Sequence, residues 1–258
     1  MPAPTALPLR TVFASLARPV AYFGSVLLAA AGAWRFRRKD FARACMEASA
    51  QAVPIVAVVN LLVGAILAFG GAVQLIKFGA GIFVADLVGI AVTREMAAVI
   101  TAVVMAGRTG AAFAAELASM QTNEEIDALE VLGIKPVEFL VLPRVMALVI
   151  MMPLLYVYAC AMGLVGGLLV ASGMLDLPPA AYVERTLAAL EWSHLGLGMS
   201  KSLVFGALIA LTGCYQGLYA ERSAAGVGLA TTRAVVAGIV GVIALDAVFA
   251  LCANALDI

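Results

Sequence analysis

Arg94 and Glu95 stand side by side within Leu87–Ala115, an otherwise apolar stretch that also carries Arg108. Charged side chains in such a stretch are costly and face a helix-bundle interior or a wet cavity. Neighbouring positions on a helix point about 100° apart, so the two residues do not satisfy each other well. An arginine offers a planar fork that fits a phosphate or a carboxylate, and a glutamate accepts from an amine. The pair therefore reads either as a site facing a polar headgroup or as structural charges bonded to neighbouring helices. Arg108 falls fourteen residues later, which puts it on the same face about 21 Å along the helix. It reads as a structural charge, as does Asp246, its candidate partner.

A second chemical feature is the segment Glu116–Pro136, ELASMQTNEEIDALEVLGIKP. Thr122 and Glu125 have the spacing of a capping box, and Gly133 can stop a helix in the left-handed conformation. Pro136 prevents its continuation, so a helix of about three turns is expected. Ile126, Leu129 and Leu132 share one helical face, while Glu124, Asp127 and Glu130 point elsewhere. A helix lying on a membrane would carry Lys and Arg on its polar face. The acidic face instead suits docking to a cytoplasmic partner through Glu124, Glu125, Ile126, Leu129 and Glu130.

The elements that must position these residues are membrane helices. The chain has 258 residues, 64% hydrophobic and 12% charged, with a mean hydropathy of +1.06. A soluble domain is about 45–50% apolar and about 25% charged. A span needs about 20 apolar residues. Ala48–Ile76, Leu87–Ala115, Val145–Leu175, Ser202–Ala220 and Ala234–Leu256 meet that requirement. Pro19–Trp34 is short and precedes the basic run Arg35–Lys39, which suits a helix lying in the interface; a sixth short span is the alternative. The chain is thus expected to divide at residues 1–44, the interfacial region, and 45–258, the spanning domain. Arg and Lys concentrate in the loops on the N-terminal side, while Lys77 and Arg185 fall on the other and Lys201 near a boundary. This bias places the N-terminus in the cytoplasm and, after five crossings, the C-terminus outside.

Several chemistries find no support. Formal net charge is zero, which gives no bulk case for nucleic acid. The four cysteines form no close pair, and one histidine is too few for a His-based metal site. No catalytic or metal-ligating constellation is evident. Gly196–Ser202 approaches a phosphate loop but lacks the glycine before Lys201, so no ATP site is expected in the chain itself. Gly163-x-x-x-Gly167 and Gly213-x-x-x-Gly217 permit close helix packing.

The blocks Arg94-Glu-Met-Ala-Ala-Val, Ala106-Gly-Arg108-Thr-Gly110, Ala115-Glu116, Thr122–Leu129 and Pro143-Arg144 resemble those of the MlaE-type permease family. Gly226–Val236 and Leu245-Asp246 extend the resemblance, which covers roughly residues 45–255 with the blocks in order. Members are membrane subunits of bacterial ABC systems that move phospholipid between the two membranes. The resemblance implies a homodimer of five-span permeases in the inner membrane, each with an N-terminal interfacial helix. It further implies a cytoplasmic ATPase dimer, which supplies ATP and Mg, docked on the helix after the second span. A periplasmic MCE-domain lipid-binding protein would sit above the outer opening. Arg94 and Glu95 would lie at a central lipid cavity with Leu67, Leu75 and Phe78 on its apolar wall. Two departures are Asn123, where Thr is usual, and Met96-Ala97-Ala98 in place of Leu-Gly-Pro, which leaves span two without a kinking proline. The expected function is the permease subunit of an ATP-driven phospholipid transporter. The alternatives are a secondary transporter or channel for hydrophobic small molecules, acting without an ATPase, and a membrane scaffold. The first lacks the internal repeats or paired broken helices such carriers often show.

Overall fold

The structure, a computed structural model, describes residues 9–32 and 38–255. Those residues are helical with short turns and contain no strand. Helix α1 (Leu9–Ala31) is followed by α2 (Arg38–Ser49) and α3 (Val53–Leu75), which together give a first apolar stretch, Phe41–Phe78. The second stretch, Gly81–Thr122, comprises α4 (Val84–Ala91), α5 (Ala97–Met105) and α6 (Ala111–Thr122), joined by two π-turns. A short helix α7 (Glu125–Val131) leads to α8 (Leu142–Met174). Then come α9 (Pro179–Ala189), α10 (Trp192–Leu218) and α11 (Ala224–Ala255).

Five stretches are long and apolar enough to cross a membrane, and each matches an expected span. All five begin six to ten residues earlier than hydropathy suggests, Leu87–Ala115 becoming Gly81–Thr122 and Ser202–Ala220 becoming Trp192–Leu218. A charge ends a hydropathic run, but it does not end a helix whose backbone bonds continue. The apolar part of α1, Arg18–Ala31, is shorter than a span. Trp34, Arg35 and Arg37, expected to mark its boundary, lie outside the described residues. Tyr22 fixes α1 to the bundle: it is buried, donates to the Leu211 carbonyl at 3.3 Å and packs 5.3 Å from the Tyr215 ring. Burial pushes its phenol well above the ordinary range, so it remains a donor.

Small residues let the helices approach. A Cβ at Gly64 on α3 would overlap the backbone carbonyl of Gly163 on α8, so these helices touch backbone to backbone. Gly213 and Gly217 bring α10 against Gly110, Ala114 and Leu117 in the same way, as their spacing suggests. In contrast, α11 leans on the bundle through one face, and only 11% of its most apolar window is buried.

Candidate functional site

The two π-turns of the second span, Val92–Met96 and Ala106–Gly110, contain the charged residues that the sequence singles out. A π-turn inserts one residue into the helix and frees a carbonyl from its usual partner. At the first, Tyr156 of α8 donates its hydroxyl to the Thr93 carbonyl at 2.6 Å, and the Thr93 hydroxyl donates to Gly89 at 2.7 Å. A Cβ at Gly198 of α10 would overlap the Tyr156 hydroxyl and stand 2.6 Å from the Thr93 oxygen. Three helices thus converge on this turn.

Glu95 leaves this turn toward Lys201 of α10 and pairs with its ammonium. Lys201 Nζ also donates to Asp246 Oδ1 of α11 at 2.8 Å. Lys201 is fully buried, whereas the side chains of Glu95 and Asp246 remain 28% and 25% exposed. A buried ammonium in lipid persists only with such partners. One cation therefore joins three spans, and each carboxylate keeps an edge that can accept a further donor. Arg94 precedes Glu95 on the same turn and is half-buried.

This arrangement corrects two expectations. Asp246 does not serve Arg108: it is held by Lys201, while Arg108 Nη2 donates to Gln51 Oε1 at 2.5 Å. Lys201 is not a boundary residue but the buried centre of the cluster. The apparent end of the fourth span at Ser202 concealed it. The signal was present in composition, since two acidic residues lie within apolar stretches and require a cation. Leu67 and Leu75 are half-buried against the apolar core, and Phe78 stands 82% exposed at the end of the first span.

The acidic helix also differs from expectation. Thr122 belongs to α6, and its hydroxyl donates to Ala118 at 2.9 Å, so the capping box does not form. The chain turns instead through Glu124 in the left-handed conformation (φ 60°), and α7 has seven residues, about two turns. The stop is as expected. Gly133 adopts φ 74°, its N–H donates to Glu130 and that of Ile134 to Leu129, the paired bonds of a Schellman motif. Pro136 begins the next helical turn. Ile126 is buried within the chain's own core and Leu129 is half-buried beside it, so they are not exposed anchors: the helical phase turns both toward the bundle. Val131 and Leu132, 88% and 73% exposed, share the outer surface with Glu124, Glu125 and Glu130. Two motif blocks meet nearby, where Arg144 pairs with Glu116 at 2.8 Å.

The family described as Permease MlaE matches residues 41–252. A probable ABC transporter permease protein of Rickettsia conorii is 40% identical over 184 residues, 71% of each chain. One of Synechocystis is 37% identical over 180 residues, 70% of this chain and 68% of its own. Another, of Porphyra purpurea, is 40% identical over 147 residues, 57% of this chain and 56% of its own.

Proposed function

The chain belongs to the MlaE permease family and is an ABC transporter permease, and on that premise we propose that it moves phospholipid between the inner and outer membranes. In this reading two copies form the permease in the inner membrane, with N-termini in the cytoplasm and C-termini in the periplasm. A cytoplasmic ATPase dimer binds ATP and Mg and docks on α7, and a periplasmic MCE-domain protein receives or delivers the lipid. The observation that carries the reading is the Lys201 cluster. Lys201 joins two partly exposed carboxylates, Glu95 and Asp246, across three apolar spans, and Arg94 precedes Glu95 on the same turn.

A phospholipid matches that pattern. Arg94 suits the phosphate, and the free edges of Glu95 and Asp246 suit a headgroup amine. The exposed apolar surface, to which Phe78 contributes and Leu67 and Leu75 lend partly buried side chains, suits acyl chains, whose burial contributes about 0.8 kcal/mol per methylene. Affinity then comes mainly from the chains, and the charged cluster sets headgroup position and release. The exposed face of α11, apolar except near its ends and at Asp246, is a fitting surface for the second copy. Outward-facing Glu124, Glu125, Glu130, Val131 and Leu132 give the ATPase an apolar centre with an acidic rim.

The test is to purify the chain in mild detergent and to determine copurified ATPase and phospholipid for the wild type, Arg94→Ala and Glu95→Ala. A stoichiometric ATPase in all three, with phospholipid reduced in the variants, supports the reading. A chain active without any ATPase is a secondary carrier, and one without bound lipid is a scaffold; either result overturns it.

A further inference from the structure

We infer that Arg222 is a positioning residue that transmits movement of α7 to the spans holding the Lys201 cluster. The inference rests on the docking role proposed for α7 and concerns how docking reaches the lipid site.

Helix α7 is short and meets the bundle through Ile126, which is buried, and Leu129, half-buried beside it. It packs chiefly on α6, and an open cavity of about 320 Å³ lies between it and the end of α10, lined by Gln121, Ile126, Asp127, Glu130, Leu218 and Tyr219 among others. Across this gap Arg222 reaches from the turn between α10 and α11. Its Nη2 lies 2.8 Å from Asp127 Oδ2 and 2.9 Å from Oδ1. With the Gln121 amide oxygen turned toward it, Arg222 also donates to that side chain from Nε at 3.2 Å and Nη2 at 3.1 Å. One guanidinium thus ties α7 and the end of α6 to the α10–α11 turn. It is the one ion pair that α7 makes among the described residues.

The worth of this link is not in stability. Both side chains are about half exposed, so solvent screens the pair and it adds little to stability. Its position is more informative. The turn bearing Arg222 is tight: a Cβ at Gly226 would overlap the Glu221 carbonyl, and the Ser223 hydroxyl accepts from the Gly226 N–H at 3.0 Å. Movement of Arg222 is therefore carried into α11. From Ala224 to Asp246 that helix runs without interruption for about 33 Å. At its far part Asp246 meets Lys201, and Lys201 meets Glu95. A partner that tilts α7 over the cavity pulls on α10 and α11 through Arg222, and shifts the carboxylates that hold the headgroup.

The experiment reconstitutes the full chain with its ATPase in vesicles of phosphatidylethanolamine and phosphatidylglycerol, and measures ATPase copurification, ATP hydrolysis and lipid transfer separately. Arg222→Ala is expected to retain a stoichiometric ATPase while lipid transfer per ATP hydrolysed falls at least fivefold. Arg222→Lys, which keeps the charge without the fork, should recover part of the transfer. The exchange Asp127→Arg with Arg222→Asp should recover more transfer per ATP than either single change, with folded protein and ATPase content unchanged across the series, as a role in folding alone does not predict. Wild-type transfer per ATP in Arg222→Ala, or no rescue in the folded double variant, overturns the inference. A wild-type chain that binds no ATPase overturns the docking role itself, and so the two failures are distinguishable.

Discussion

Replacing Lys201 with methionine removes the only fully buried charged side chain among the described residues and leaves Glu95 and Asp246 with no cation between them. At the 2.8 Å separation from Asp246, an effective dielectric of about 20 gives a gross attraction of roughly 6 kcal/mol. Taking the ammonium out of water offsets several kcal/mol of this, and the partial exposure of the carboxylates weakens it further. Removing one partner of such a pair costs about 3–5 kcal/mol, because the charges left behind are uncompensated. Lys201→Met is therefore expected to lower the thermal stability of the purified protein more than Asp246→Asn, which leaves the Lys201–Glu95 pair intact. The triple variant Glu95→Gln, Lys201→Met, Asp246→Asn removes all three members of the ion-paired network, leaving Arg94, and should regain stability to within about 1–2 kcal/mol of the wild type. It should still fail to retain phospholipid. Thermal unfolding in detergent and mass spectrometry of bound lipid read the two effects separately. If Lys201→Met unfolds at the wild-type temperature, or the triple variant remains as unstable as the single one, the cluster is not held together as described.

Tyr156→Phe leaves the Thr93 carbonyl of the first π-turn unpaired and should destabilise by about 1–3 kcal/mol. Gly198→Ala should do the same by displacing the Tyr156 hydroxyl, and an unchanged unfolding temperature in both would mean that the turn does not need this bond. Val131→Asp combined with Leu132→Asp should release the ATPase from a folded permease, whereas Ile126→Asp should reduce folded protein, because it puts a charge into the core. Pull-down and size-exclusion chromatography distinguish these outcomes, and normal ATPase recovery with the double variant contradicts the docking surface. In a background lacking native cysteines, Ala180→Cys should react with an impermeant maleimide from the periplasm and Leu132→Cys only from the cytoplasm. Labelling of both from one side would contradict the crossing by α8.

The spans were legible because a membrane helix must be apolar over its length, and five such runs are separated by charge and turns. Their ends were less legible, since Arg43, Glu47 and Lys201 interrupt hydropathy while the helices continue through them. Arg94 and Glu95 were conspicuous as charges in an apolar run, but their partners were not, because helix packing across 106 residues joins Glu95 to Lys201. The same limit assigned Asp246 to Arg108. Around α7, the left-handed stop at Gly133 is a local property of glycine and followed from the residue alone. The failed capping box did not, because α6 continues through Thr122 and the reversal falls on Glu124, a residue that rarely adopts positive φ.

The most direct test is transfer of labelled phosphatidylethanolamine by the permease reconstituted with its ATPase between donor vesicles and the periplasmic lipid-binding protein. Transfer should require ATP hydrolysis and fall at least tenfold in Arg94→Ala while ATPase binding and dimer content stay at wild-type levels. Transfer that proceeds equally without ATP, or at the wild-type rate in Arg94→Ala, would contradict an ATP-driven permease that seats its lipid headgroup at the Lys201 cluster.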